Sequence, residues 1–267
     1  MSGDLFGGGA PAHPPEVPEG AGPLADRMRP RSFDELLGQD QLLAPGAPLA
    51  AMRDGRHLSS VILWGPPGTG KTTIARLLAR TAGVPFVAFS AVLSGVKEVK
   101  ETMALAARER GRTGRPTLLF VDEIHRFNRA QQDAFLSHVE KGDIVLIGAT
   151  TENPSFEVNA ALLSRMRVVV LKELAIADLV TLVERALADR ERGLRGACAA
   201  EPEVLRLIAE SADGDARRAL NTLELAAASV ETRGADPARI TGEAVRRALA
   251  RRHLRYDRAG EEHYNLI

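Results

Sequence analysis

The sequence predicts an α/β fold in which a five-stranded parallel sheet is flanked by helices and followed by a small all-α domain. Before Lys172, short apolar segments alternate with segments that carry apolar residues at helical spacing. The apolar segments are hydrophobic along their whole length, which is typical of parallel strands that are covered on both faces. After Lys172 the sequence is dominated by Ala, Leu, Arg and Glu at helical spacing.

Each predicted strand is an apolar run that ends at a turn, and each predicted helix has its own apolar face. The strands are placed at 61–64, 85–89, 117–122, 143–150 and 167–171. The helices are placed at 72–82, 97–110, 128–140, 179–192, 203–211, 216–232 and 242–254. The predicted division is a disordered Gly- and Pro-rich leader at 1–22, an α/β domain at 23–171, a helical lid domain at 172–256 and the start of a further region at 257–267.

Composition excludes several classes of protein. The 267 residues carry 35 basic and 35 acidic side chains, so any binding of a polyanion depends on local patches. No apolar run approaches the length of a membrane span. The single cysteine, Cys198, permits neither an internal disulfide nor a cysteine-cluster metal site, and a reducing, cytoplasmic location is expected.

Residues 65 to 72 read GPPGTGKT, which is a complete phosphate-binding loop between a predicted strand and a predicted helix. In such a loop the backbone N–H groups and the helix N-terminus attract phosphate oxygens. Lys71 is one of only five lysines in the chain, and it occupies the position that needs a point charge. The predicted nucleotide-binding residues of this segment are Gly65, Pro66, Pro67, Gly68, Thr69, Gly70, Lys71, Thr72 and Thr73.

The third predicted strand ends in two carboxylates, Asp122 and Glu123. Ligands of open parallel sheets bind at this end of the strands. We expect Asp122 and the hydroxyl of Thr72 to hold Mg²⁺, and Glu123 to polarise the attacking water. His125 is interpreted as a polar loop residue, because further nitrogen or sulfur ligands at metal-binding spacing are missing from the sequence.

Three further positions are candidates for sensing or stabilising the phosphate. Thr151 follows the fourth strand and is expected near the γ-phosphate, with Thr150 as the alternate. Arg165, with Arg167 as its alternate, is either a surface ion-pair partner or a residue donated to a neighbouring subunit's nucleotide. Arg217 opens a helix of the lid domain and could reach back over the nucleotide.

These motifs occur in one order along the chain: RPRSFDELLGQDQLL, GPPGTGKT, LLFVDEIH, GATTENPSF, LLSRMRV and GDARRALNTLE. The set closely resembles the P-loop AAA+ ATPases of the clamp-loader branch. The segments VDEIHRFNRAQQDAFLSHVEKG and RYDRAGEEHYNLI resemble the RarA/MgsA family of replication-associated recombination ATPases. The resemblance covers about residues 24–267.

The resemblance implies an ATP- and Mg²⁺-using, DNA-dependent ATPase that acts at stalled or gapped replication forks. It places Gln39 at the adenine pocket, Thr151 as sensor 1, Arg165 as a finger in trans and Arg217 as sensor 2. It implies gapped, forked or single-stranded DNA, a single-stranded-DNA-binding protein and a homo-tetramer as partners, and a nucleoid-associated location. Family members continue past residue 267 into a helical oligomerisation domain, so a truncated chain is expected and its own oligomeric state stays open.

Two other functions remain open at this point. A nucleotide-gated loader or adaptor of a replication protein would carry nearly the same motifs, and a shortened chain could act as a non-enzymatic interaction module. The arginines between Arg246 and Arg258 form either a DNA-binding stripe or a solvated helix end. Asp4-Leu5-Phe6 faintly resembles a clamp-binding peptide, with plain disorder as the alternative.

Overall fold

The computed structural model describes residues 22–55, 57–91, 95–230 and 237–251. The predicted leader except Gly22, including Asp4-Leu5-Phe6, and the predicted region 257–267 lie outside the described residues. So do Arg252, Arg255 and Arg258 of the arginine stripe.

Five parallel strands form the central sheet in the spatial order β2-β3-β4-β1-β5, which confirms the predicted sheet. The strands are β1 (Val61–Trp64), β2 (Phe86–Ser90), β3 (Thr117–Asp122), β4 (Ile144–Thr150) and β5 (Arg167–Val170). Trp64 pairs with Thr150, and Val121 pairs with Gly148. The residues that follow β1, β3 and β4 therefore meet at one edge of the sheet.

Helices cover the sheet and build the C-terminal part of the chain. Those before residue 165 are α1 (Leu24–Arg27), α2 (Asp40–Leu43), α3 (Ala50–Arg53), α4 (Lys71–Ala82), α5 (Val96–Thr113), α6 (Arg129–Lys141), α7 (Pro154–Glu157) and α8 (Ala160–Leu163). Those after it are α9 (Ile176–Ala188), α10 (Pro202–Ser211), α11 (Ala216–Ala227) and α12 at 242–251. Single 3-10 turns occur at Phe33–Glu35 and Ile124–Arg126.

Helix α9 ends at Ala188, whereas the sequence predicted a helix that extends to Arg192. The carboxylate of Asp189 accepts hydrogen bonds from the backbone N–H groups of Glu191 and Arg192, at 2.9 and 2.8 Å. This local turn competes with continuation of the helix, which is the usual behaviour of Asp near a helix end.

The three central strands β1, β3 and β4 are buried on both faces, as their unbroken apolar sequence predicted, whereas three of the four residues of the edge strand β5 are exposed. Along β3, Leu118 and Phe120 face the layer that contains α4, while Leu119 and Val121 face the layer that contains α5 and α6. Burial of alternate residues on opposite faces follows from the two-residue period of a strand. The two apolar layers hold the strand ends in fixed register.

The C-terminal helices have a separate apolar core, which includes Leu179, Leu220 and Val245. Leu24 and Met28, from the start of the described chain, are buried in this second core. Two three-residue strands that the sequence did not predict, β6 (Cys198–Ala200) and β7 (Ala238–Ile240), pair in parallel beside it. Such short strands carry too few residues to show a period.

In the part of the chain that the structure describes, the helices are all too short or too polar to cross a bilayer.

Candidate functional site

A cavity of about 190 Å³ lies where the C-terminal edge of the sheet meets the helical part. Segments that are far apart in the sequence line it together. They are the loop and helix start at 67–73, the end of β3, the residue after β4, the start of α11 and the segment before the first strand. Of the predicted site residues, the cavity is lined by Pro67, Gly68, Thr69, Gly70, Lys71, Thr72, Thr73, Asp122, Glu123, Thr151 and Arg217.

The predicted phosphate-binding loop connects β1 to α4. Gly70 precedes the helix with φ 98°, a conformation that only glycine adopts without strain. The ammonium group of Lys71 donates hydrogen bonds to the backbone oxygens of Gly65 and Pro66, at 2.7 and 2.9 Å. Gly65 and Pro66 thus contact the site through Lys71, although neither lines the cavity.

Lys71 is only 8% exposed. Burial lowers the pKa of its ammonium group, and the nearby carboxylates of Asp122, Glu123 and Asp215 oppose that effect. A partly dehydrated cation facing a cavity attracts a polyanion strongly, because few waters screen it.

Asp122 is the last residue of β3, and Glu123 follows it in the left-handed region with φ 53°. A non-glycine residue in this region is strained, and the fold must hold it there. Ile124, fully buried, anchors the next turn in the apolar layer. The strained turn directs both carboxylates to the cavity, which they line together with Lys71.

The structure places the two threonines at the end of β4 differently. Thr150 is fully buried, and its hydroxyl lies 2.9 Å from Nδ1 of His125. Thr151 lines the cavity. Thr150 is the last residue of β4, whereas Thr151 lies in the bend that follows it, so the two side chains have different surroundings.

Helix α11 contributes the arginine of the helical part. Asp215 caps its N-terminus by accepting hydrogen bonds from the N–H groups of Arg217 and Arg218, at 2.8 and 3.0 Å. Arg217 lines the cavity, and its charge contributes to lowering the pKa of Lys71, after burial. The cavity is therefore lined by Lys71 from the phosphate loop and by Arg217 from the helical part.

Gln39, for which the resemblance implied a position at the adenine pocket, does not line the cavity. It is 1% exposed, its amide N–H₂ donates to the backbone oxygen of Lys172 at 2.7 Å, and its amide oxygen accepts from Lys172 N. Since the backbone of Lys172 uses both groups of the amide, Gln39 joins the segment after β5 to the segment before β1. Leu36 and Leu37 line the cavity instead.

Arg165 also lies outside the cavity of its own chain. Its guanidinium contacts Oε1 of Glu140 on α6, with Nε at 2.7 Å, and donates to the backbone oxygen of Ala161 at 2.7 Å. Both partners of the ion pair are substantially exposed. This arrangement agrees with the surface-pair alternative and leaves a role toward a second subunit as a proposal.

Several lining residues were missed by sequence reasoning. Arg29 lines the cavity, and its Nη1 lies 3.4 Å from the hydroxyl of Thr73. Met28 and Glu35 line it as well, and the helical part adds the side chains of Leu174, Leu182 and Leu220. These apolar residues read as ordinary core in the sequence. They line the cavity only because the helical part packs against the sheet.

The oxygen donors of the cavity fit a magnesium ion. Thr72 and Asp122 both line it, and hydroxyl and carboxylate oxygens are the ligands that Mg²⁺ prefers. Among the described residues, His, Cys, Asp and Glu form no cluster of three or more that could hold a metal by itself.

Comparisons with known proteins agree with this site. The family described as "ATPase family associated with various cellular activities (AAA)" matches residues 61–174, and the family "AAA C-terminal domain" matches residues 194–267. The chain is 50% identical over 246 residues to replication-associated recombination protein A of Escherichia coli K12, covering 92% of this chain and 55% of that protein. It is 38% identical over 260 residues to the ATPase WRNIP1 of Dictyostelium discoideum, covering 92% of this chain and 30% of that protein.

A solved structure, the RuvB Holliday junction branch migration motor of Thermotoga maritima, superposes with a TM-score of 0.67 at 28% identity. The match covers 84% of this chain and 72% of that one. The chain spans about half the length of the recombination proteins A that it matches, 55% in the Escherichia coli case.

Proposed function

Because this chain belongs to the AAA family of ATPases, in the group of the replication-associated recombination proteins A, we propose that it hydrolyses ATP with Mg²⁺ to act on replication-fork DNA. The cavity carries the proposal. It brings Lys71, Glu123 and Arg217 into one space from three separate segments. A phosphate loop, a water-polarising carboxylate and a second cation are the parts that phosphoryl transfer to water needs.

In the proposed reaction the triphosphate binds along the loop at 65–73. The N–H groups at the start of α4 and the ammonium of Lys71 attract its phosphate oxygens. Lys71 then exchanges its bonds with the oxygens of Gly65 and Pro66 for bonds to the substrate. Thr72 and Asp122 would hold Mg²⁺, which would neutralise charge on the phosphate oxygens when bound.

Glu123 orients a water and takes a proton from it as the water oxygen forms a bond to the γ-phosphorus. The bond from the γ-phosphorus to the bridging oxygen breaks, and ADP and phosphate leave. Arg217 stabilises the charge that develops on the phosphate oxygens, because a guanidinium is planar and remains charged. Thr151, which lines the same cavity, is proposed to contact the γ-phosphate through a water.

A second subunit completes the proposed site. Arg165 is exposed on the surface and is proposed to reach the nucleotide of a neighbouring copy in a homo-tetramer. Tetramer formation is proposed for a chain extended to the length of the relatives, which is called the longer form below.

The division of the chain into 23–171 and 172–256 also remains a proposal. The two apolar cores support two units, and the burial of Leu24 and Met28 assigns α1 to the second.

DNA and a single-stranded-DNA-binding protein are the proposed partners. The name of the Escherichia coli relative places that protein in replication-associated recombination. Arg246, Arg247 and Arg251 of α12 are the described members of the basic stripe. Of these, Arg247 is highly exposed and pairs with Glu243 on the same helix. Exposed arginines can neutralise DNA phosphates, which makes binding dependent on salt.

The test is ATP turnover by this chain and by the longer form, each with single-stranded, gapped and forked DNA. We expect turnover that DNA stimulates in the longer form. Glu123→Gln should abolish turnover and retain nucleotide binding. The control is Glu152→Gln, the same change from carboxylate to carboxamide at an exposed residue, and it should change neither turnover nor binding. Lack of turnover in the longer form with every DNA would overturn the proposal.

A further inference from the structure

His125 contacts both Glu123, the proposed water-polarising residue, and Thr150 at the end of β4. Its Nε2 lies 3.2 Å from Oε2 of Glu123. Its Nδ1 lies 2.9 Å from the hydroxyl oxygen of Thr150. The imidazole thus contacts the water-polarising carboxylate on one side and is hydrogen-bonded on the other side to the hydroxyl at the end of β4.

The donors and acceptors of this chain of contacts can be assigned. A carboxylate oxygen 3.2 Å from Nε2 favours the tautomer in which that nitrogen carries the proton, because a carboxylate only accepts. The hydroxyl of Thr150 accepts from the N–H of Glu152 at 3.0 Å. Its own proton can go to Nδ1 at 2.9 Å or to the backbone oxygen of Glu152 at 3.3 Å, and the shorter distance favours Nδ1.

The contacts therefore run in one direction, from the N–H of Glu152 through Thr150 and His125 to Glu123. The two middle residues of this series are largely buried. Thr150 is fully buried, and the His125 side chain is 12% exposed. Glu123 needs such support, because its backbone is in the left-handed region and its side chain is 32% exposed.

Thr151, the residue between Thr150 and Glu152, lines the cavity. Any displacement of this segment when the phosphate arrives or leaves moves the hydroxyl of Thr150. Through His125 it then moves the carboxylate of Glu123. Two direct contacts, Thr150 with His125 and His125 with Glu123, thus connect this segment to the carboxylate.

We propose that His125 is a positioning residue, which couples the carboxylate of Glu123 to the end of β4 through Thr150. Its contact with Oε2 restricts the orientation of the carboxylate that accepts the water's proton. This inference rests on the proposed ATPase function for its effect on turnover, while the tautomer and the contact of His125 do not depend on that function.

The first experiment measures the imidazole nitrogens of the ¹⁵N-labelled full chain by NMR without nucleotide. The chain has six histidines, and the signal missing from His125→Gln identifies the residue. We expect the Nε2–H tautomer in the unchanged protein. Thr150→Val should shift the Nδ1 resonance and mix the tautomers, and Thr150→Ser, which keeps the hydroxyl, should restore the original spectrum. An Nδ1–H tautomer in the unchanged protein, or an Nδ1 resonance of His125 that is the same in Thr150→Val, would overturn the inference.

The second experiment separates turnover from binding. Nucleotide affinity is read from the fluorescence of Trp64, the single tryptophan, which directly precedes the loop. We expect His125→Ala and Thr150→Val each to lower kcat by about tenfold or more while affinity changes by less than about twofold. Thr150→Ser should recover kcat, and the double variant should lose little beyond His125→Ala.

His138 supplies the matched control. Its Nδ1 lies 2.9 Å from Oδ2 of Asp143, which precedes β4 at the far end of the sheet. His138→Ala removes a comparable histidine contact and should leave kcat unchanged. Equal losses of kcat in His125→Ala and His138→Ala, or additive losses in the double variant, would show a merely structural role. The values of kcat are measured in the longer form. If that form has no turnover with any DNA, the proposed function fails, and the NMR result alone decides whether His125 couples Thr150 to Glu123.

Discussion

Gly68 and Asp215 are in direct contact: a Cβ atom at Gly68 would lie 1.8 Å from Oδ1 of Asp215. The N–H of Ala216 also donates to the backbone oxygen of Gly68 at 3.4 Å. The phosphate loop and the start of α11 therefore touch at a point where only a hydrogen atom fits. Arg217 follows on the same helix, so this contact sets its position over the loop.

Gly68→Ala should abolish nucleotide binding and lower the thermal midpoint of unfolding. Gly114→Ala is the matched control, because Gly114 has φ +72° against +71° at Gly68, and an added Cβ would have no neighbour within 4 Å. The left-handed backbone costs about 1–2 kcal/mol at either glycine. The additional decrease in the thermal midpoint of Gly68→Ala measures the overlap with Asp215. Equal decreases in the two variants would contradict a steric overlap at Gly68. Differential scanning fluorimetry and a Trp64 titration make the comparison.

Asp215→Ala should destabilise the protein by about 1 kcal/mol, because α11 loses the side chain that caps it. It should also weaken nucleotide binding, since Arg217 is no longer held at the loop. Asp215→Asn keeps a capping oxygen and should restore most of the stability. Urea unfolding gives the free energy, and an Asn variant as unstable as the Ala variant would argue against the cap.

Arg192→Met should lower the free energy of unfolding near neutral pH and reduce its dependence on acid. Burial raises the pKa of Glu35, but hydrogen bonds and charges of Arg192 and Arg31 outweigh this effect and leave the pKa below its ordinary value. Asp189 behaves in the same way, with backbone and side-chain bonds from Arg192 and a backbone bond from Glu191 outweighing burial.

Carboxyls with a lowered pKa in the folded state add stability above their ordinary values of about 4, and this stability disappears as the pH falls through the folded pKa. Urea unfolding at several pH values below about 7 measures the slope. Arg206→Met, which removes an exposed pair with Glu210, should leave the slope unchanged. An acid dependence identical to that of the unchanged protein would contradict the role of Arg192.

Arg165→Ala should leave nucleotide affinity intact and abolish turnover of the longer form. Its exposed pair with Glu140 contributes only about 0–1 kcal/mol, so the fold should remain. If the residue acts on a neighbouring subunit, a mixture of the Arg165→Ala and Glu123→Gln forms should recover turnover that neither has alone. Arg167→Ala tests the alternate position. A mixture that stays inactive would exclude action between subunits.

Arg29→Ala should weaken nucleotide binding by about tenfold to a hundredfold, since a charged hydrogen-bonding group at the cavity is worth roughly 1.5–3 kcal/mol. Arg53→Ala is the control, because Arg53 pairs with Asp54 outside the cavity lining. The Trp64 titration gives both affinities. Unchanged affinity in Arg29→Ala would assign this arginine to its pair with Asp26 alone.

The sequence by itself predicted the five strands and the loop at 65–72, because strand burial and the phosphate loop are both encoded by neighbouring residues. It also predicted that Asp122 and Glu123 lie at the end of a buried strand, since an apolar segment that ends in two carboxylates is visible along the chain. These features depend on local spacing, which a single sequence displays directly.

Only the tertiary structure decided which side chains share the cavity. Gln39 is hydrogen-bonded to Lys172, and Arg29 and Glu35 line the cavity. Thr150 is buried against His125 at the end of β4, whereas Thr151, after the strand, lines the cavity. Such contacts join residues that are distant in the sequence, and they follow from how two apolar cores pack. Periodicity records which residues are buried, but it does not record what each one is buried against.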